Sequence, residues 1–175
     1  VEGEDIEPAA GLAAHLHAIT SVRFSADGLR FLSASQDGSI RTWNLYLPIQ
    51  DTSKYFNSSN RSVSPHVRGA RPRSGSMLSL SSPDHLTPEF TLKVLHTLNG
   101  HTEAVFSAEF NTDGLTVASA SMDGTIRIWE LATGAMQAVL RPLGKTPLFT
   151  SLAWSPDGRK LVSGSDDGWV RVWSV

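Results

Sequence analysis

A chain of 175 residues, 40% of them hydrophobic, is long enough for one domain with a core of its own. The formal net charge of −2 is small, and the absence of cysteine excludes disulfides, thiol catalysis and thiolate metal sites. No apolar run approaches the roughly 18 residues a membrane helix needs, no charged, apolar and small-residue leader opens the sequence, and no cofactor motif is found.

In chain order, residues 1–14 form an N-terminal segment. Ile6 to Ala14 precede His15 where an outer strand belongs, although Pro8 and the small residues around it suit a strand poorly. Residues 15–45 then carry the first copy of a skeleton. Ser21-Val22-Arg23-Phe24-Ser25 alternates apolar and polar, Asp27-Gly28 makes a turn, and Leu29 to Ser35 is a short apolar stretch. Asp37-Gly38 makes a second turn, and Ser39-Ile40-Arg41-Thr42-Trp43 closes the unit. Each stretch is too short for a helix and rich in β-branched or aromatic residues, so the unit reads as a three-strand meander. Asp-Gly suits the turns because glycine accepts positive φ and the Asp side chain hydrogen-bonds its own turn backbone.

Residues 46–90 break the pattern. They hold no Asp-Gly pair and no Trp, and they are crowded with Ser, Pro, Arg and Asn. Such a composition buries too little apolar surface to offset its conformational entropy, so the segment is expected to be a disordered insertion. It offers candidate phosphorylation sites. Arg71 and Arg73 stand three residues before Ser74 and Ser76, and Ser64, Ser82 and Thr87 each precede a proline. A phosphate there would add roughly −1.5 to −2 of charge among arginines. Arg68, Arg71 and Arg73 also raise nucleic-acid contact, but without aromatic interleaving they carry little weight.

Residues 91–134 resume with an alternating strand, Thr91 to Leu98, expected to be the outer strand of the first unit displaced by the insertion. The second unit follows, with Asp113-Gly114, Asp123-Gly124 and Trp129, and residues 135–175 hold the third, with Asp157-Gly158, Asp167-Gly168 and Trp173. The spacing between the two turns and the Trp is identical in all three copies, so a repeated supersecondary element sets the fold class.

Gly100-His101, the paired Asp-Gly turns and the strand ending Ile126-Arg127-Ile128-Trp129-Glu130 together resemble the WD repeat. The resemblance implies an all-β fold of four-stranded antiparallel propeller blades, here three, which form an incomplete ring. It also implies a buried hydrogen-bonded set of His, strand Ser, Asp and Trp in each blade. Matched by position, these are His15, Ser33 or Ser35, Asp37 and Trp43 in the first repeat, and His101, Ser119 or Ser121, Asp123 and Trp129 in the second. In the third they are Ser163, Asp167 and Trp173, with Lys145 where the His is expected. The second letter of the signature is degenerate, since Asn44, Glu130 and Ser174 follow the three tryptophans.

The family further implies a non-catalytic scaffold, cytoplasmic or nuclear, that binds proteins or peptides through loops. The expected contact positions lie just before the second-turn Asp, at Gln36, Met122 and Asp166, and beside the His positions, at His17, Glu103 and Pro147. Two alternatives remain open: a hydrolase using a Ser-His-Asp set, and a nucleic-acid or chromatin-associated adaptor. Three blades do not close a ring of about 4 to 8, and Val175 stops two residues after the third Trp, before any outer strand. Further blades are therefore expected, in a longer chain or in an oligomer.

Overall fold

In the computed structural model, which describes residues 13–46, 91–144 and 146–175, every regular element is a strand. The alternating segments form β1 (Ile19–Phe24), β2 (Arg30–Ser35), β3 (Ile40–Tyr46) and β4 (Thr91–Leu98), which hydrogen-bond in that order into one antiparallel sheet. The second sheet is β5 (Val105–Phe110), β6 (Thr116–Ser121), β7 (Ile126–Glu130) and β8 (Met136–Leu140). The third contains β9 (Phe149–Trp154), β10 (Lys160–Ser165) and β11 (Val170–Ser174). These are three propeller blades side by side. Nothing in the Asp-Gly skeleton marks β8, which takes its place through its backbone pairing with β7.

β4 pairs with β3 from Ile40 opposite Leu98 to Tyr46 opposite Thr91. Tyr46 and Thr91, the described residues on either side of positions 47–90, therefore lie together at the end of the blade opposite His15. The insertion itself, with all its phosphorylation candidates, and residues 1–12 lie outside the described residues, as does Lys145.

The core consists of two layers between blades. Leu32, Ala34, Ile40 and Leu98 of the first blade pack against Val105, Ala108, Phe110, Val117, Trp129 and Leu131 of the second. Ala118, Ala120, Ile126 and Ile128 on the other face of the second blade pack against Phe149 and Leu161 of the third, flanked by Leu152, Trp154 and Trp173. The two-residue alternation of each strand thus buries both faces of the middle blade.

The inner strands β1, β5 and β9 meet in succession and are joined by polar contacts. The Thr20 hydroxyl donates to the Val105 carbonyl at 2.5 Å, and the Trp154 backbone N–H donates to Glu109 Oε2 at 3.1 Å. Burial raises the Glu109 pKa, against the lowering effect of that N–H and of the Arg23 charge.

Candidate protein-interaction face

One end of the blades is organised around the His–Ser–Asp–Trp sets. In the second blade the Trp129 indole N–H donates to Ser119 Oγ at 2.8 Å, and Ser119 Oγ lies 2.8 Å from His101 Nε2. His101 Nδ1 is 2.8 Å from Asp123 Oδ2. A carboxylate only accepts, so Nδ1 carries the proton, and the serine hydroxyl, already accepting from the indole, donates to Nε2. The first blade repeats the chain through Trp43, Ser33, His15 and Asp37, at 3.1, 2.7 and 3.1 Å.

Of the serine alternatives left by the sequence, Ser33 and Ser119 belong to the sets. Ser35 and Ser121 instead accept the Asp37 and Asp123 backbone N–H groups and shape the second turns. The sequence pattern did not single out Ser39 and Thr125, whose hydroxyls donate to Asp37 and Asp123 Oδ1 at 2.6 Å. Their signal is a hydroxyl residue two places after the second-turn Asp.

These contacts set the charge states. Burial pushes the Asp123 carboxyl up, but hydrogen bonds from Thr125 and His101 outweigh it and hold the carboxyl below its ordinary range. Asp37 is likewise held low against burial by Ser39, Leu16 and His15. Burial lowers the His101 pKa more than the neighbouring Asp123 charge raises it, which favours the neutral imidazole.

The third blade departs from this scheme. Trp173 donates its indole N–H to Ser163 at 2.9 Å, but among the described residues no imidazole bridges Ser163 to Asp167. Asp167 instead belongs to a separate cluster, gripped by Arg171 and bonded by Ser165 Oγ at 2.6 Å. Ser163 and Trp173 thus pair apart from Asp167, in the blade where the sequence led to an incomplete set. Trp169 occupies the place of Ser39 and Thr125, and the Arg171 guanidinium lies 6.0 Å from its ring and 5.9 Å from that of Phe149.

The six expected contact positions lie in loops at this end. Gln36, Met122 and Asp166 make the same backbone bond, donating N–H to the carbonyls of Ala18, Ala104 and Leu148. This pins the main chain and leaves the side chains of Gln36 and Met122 projecting; the Asp166 carboxylate also accepts from Leu148 N at 2.8 Å. His17 and Glu103 are exposed. Pro147 is buried, because the Gly124 turn of the second blade seats against Thr146 and Pro147, so Pro147 offers little surface to a partner. Among the described residues no cluster of three or more His, Asp or Glu is arranged to hold a metal ion.

The family model described as "WD domain, G-beta repeat" matches residues 7–44, 92–130 and 142–174. The chain belongs to the WD-repeat family. This WD-repeat chain is 32% identical over 150 residues to Protein HIRA of Oryza sativa subsp. japonica, a match covering 69% of the chain and 15% of that protein. It is 28% identical over 129 residues to a chromatin assembly factor 1 subunit of Mus musculus, covering 74% and 18%. It is 27% identical over 137 residues to the pre-rRNA-processing protein crb3/ipi3 of Schizosaccharomyces pombe, covering 77% and 24%. The WD-repeat chain thus spans less than a quarter of the length of these relatives.

Proposed function

We propose that this WD-repeat chain is a non-catalytic scaffold that binds proteins or peptides through the loop face above the His15 and His101 sets. The observation that carries the reading is the repeated backbone bond at Gln36, Met122 and Asp166, which fixes three neighbouring loops while their side chains differ. A rigid frame with variable side chains suits recognition better than chemistry. His17, Gln36, Glu103, Met122 and Asp166 are the contact positions. The non-catalytic reading is supported by Ser119, which is fully buried and already accepts from Trp129, leaving no approach for a substrate.

The partner is a protein in the cytoplasm or nucleus rather than a membrane. The name of the mouse relative, which speaks of chromatin assembly, favours a chromatin-associated version of the adaptor. Phosphorylation at Ser64, Ser74, Ser76, Ser82 or Thr87 regulates attachment by placing charge beside Arg68, Arg71 and Arg73. Blades beyond these three, in a longer chain or an oligomer, complete the ring.

The test replaces Gln36 and Met122 in turn with a photo-crosslinking residue and compares captured proteins with those of a Glu103→Arg, Gln36→Arg variant. Partners captured at both loops and lost from the variant are expected. An unchanged partner set in the variant would remove the loop face from the mechanism.

A further inference from the structure

The end of the blades away from His15 and His101 carries a second frame, built by the first Asp-Gly turn of each repeat. The residue after the glycine is held there on both sides of its Cα. Its N–H donates to the turn aspartate, Leu29 to Asp27 at 2.9 Å, Leu115 to Asp113 at 2.7 Å and Arg159 to Asp157 at 3.1 Å. Its carbonyl accepts from the third strand of the same blade or the residue just past it, through the N–H groups of Leu45, Leu131 and Val175. The main chain is fixed and the side chain is left outside. Leu29 is 61% and Leu115 64% exposed, and Arg159 is exposed as well.

The three turns are also tied to one another. Arg30 Nη2, which donates to Asp27, reaches the turn of the second blade and stands 3.2 Å from the position a Cβ on Gly114 would take. Asn111 Nδ2 donates to the Gly158 carbonyl of the third blade at 3.3 Å. Asn111 is buried and occupies the place of Ser25 and Ser155, whose shorter hydroxyls bond the aspartates of their own turns. Leu29, Leu115 and Arg159 thus follow one another on turns locked in series.

Charge is uneven along this row. Residues 25–30 hold Asp27 and Arg30, which pair with each other, and residues 111–116 hold Asp113 as their one charge. Residues 155–160 set Asp157 against both Arg159 and Lys160, an excess of one positive charge. Among the described residues the Arg159 guanidinium enters no ion pair, unlike those of Arg30, Arg127 and Arg171. The row is apolar at two places and basic at the third.

We infer that this turn face is a second docking surface, occupied by an extended segment of a partner protein that lays two apolar side chains on Leu29 and Leu115 and an acidic side chain on Arg159. Backbone positions already fixed in the free protein need no further ordering when the segment binds. The acidic group at one end sets the direction in which the segment lies. The surface is at the opposite end of the blades from the loops of the scaffold reading and does not depend on them.

The test selects a random-peptide display library on the full chain and measures the enriched peptides by fluorescence polarisation. They are expected to share apolar residues beside an Asp or Glu, and to bind Leu115→Asn and Arg159→Glu variants weaker by about tenfold or more. Exchange of the peptide's acidic residue for Lys should restore binding to Arg159→Glu. Both substituted side chains are exposed, so these variants keep the fold, as circular dichroism verifies. Failure to enrich any peptide, enriched peptides without an acidic residue, or binding untouched by Arg159→Glu would overturn the inference. Peptides lost only from the Glu103→Arg, Gln36→Arg variant would support the loop face and overturn the turn face. A sedimentation coefficient of the chain alone that changes with Leu115→Asn would give this face to a second copy and overturn it equally.

Discussion

Arg171 grips both oxygens of Asp167, Nη2 donating to Oδ2 at 2.6 Å and Nη1 to Oδ1 at 3.1 Å, in the blade whose sequence offers Lys145 in place of a histidine. The equivalent Arg127 of the second blade lies 3.7 Å from Asp123, whose Oδ2 is already taken by His101. One strand position therefore acts as a secondary neighbour where an imidazole is present and as the main partner where it is absent. Arg171, followed by Ser165, accounts for the low pKa of Asp167.

The first prediction follows from that fork. Arg171→Lys replaces a planar two-pronged donor with a point charge and removes the stacking on Phe149 and Trp169. The melting temperature is expected to fall and the tryptophan emission of the third blade to shift, whereas Arg127→Lys changes both less. A thermal scan followed by fluorescence checks the difference.

Ser119→Ala should be costly. It leaves the Trp129 indole N–H and His101 Nε2 without their shared partner in a fully buried position. Each orphaned group costs about 1–3 kcal/mol. Ser163→Ala orphans the Trp173 indole in a half-buried place and should cost less. Urea unfolding of the two variants orders them.

Stability should decline as the medium turns acidic. The folded-state pKa of His101 is below its unfolded value, so its contribution is fully present above an unfolded pKa of about 6.5 and is lost as pH falls from there through the folded value. Asp37 and Asp123 have folded pKa values below the usual 3.8, so their contributions are lost in a second, lower window as they become protonated. His101→Asn is expected to flatten the upper window and leave the lower one, as read from unfolding midpoints between pH 7 and 3.

Glu109 runs the other way. Its folded pKa is raised, so its favourable contribution exists below the unfolded pKa of about 4.3 and is lost as pH rises through the folded value. Glu109→Gln keeps an oxygen to accept the Trp154 N–H and removes the charge. The variant should melt higher than the parent at pH 7, with the gap closing near pH 4.

The Asp-Gly turns separate two causes of strain. Gly28 has φ 69° with nothing within 4 Å of an added Cβ, so Gly28→Ala should cost only the left-handed conformation, roughly 1–2 kcal/mol. Gly124 has φ 75°, and an added Cβ would lie 2.9 Å from Thr146 Cβ of the third blade. Gly124→Ala should therefore destabilise more and loosen the contact between the second and third blades, which proteolysis within residues 141–148 would detect.

The sequence alone determined the blade. Asp-Gly turns at fixed spacing, strands of two-residue alternation and a tryptophan closing each unit are local features, governed by backbone conformation and side-chain period, so β1 to β7 and β9 to β11 were legible without a partner strand in view. The sets were legible by spacing for His15, Asp37 and Trp43 and for His101, Asp123 and Trp129. Tertiary structure decided what depends on groups from separate strands. It chose Ser33 over Ser35 and Ser119 over Ser121, because serines two residues apart on a strand share a face and only the positions of the tryptophan and histidine brought from other segments decide between them. It gave Asp167 to Arg171, buried Pro147 against the next blade's turn and tied Glu109 to Trp154 across two blades. Such pairings rest on how one sheet lies against the next, and that stagger comes from packing large and small side chains across an interface, which spacing along the chain does not encode.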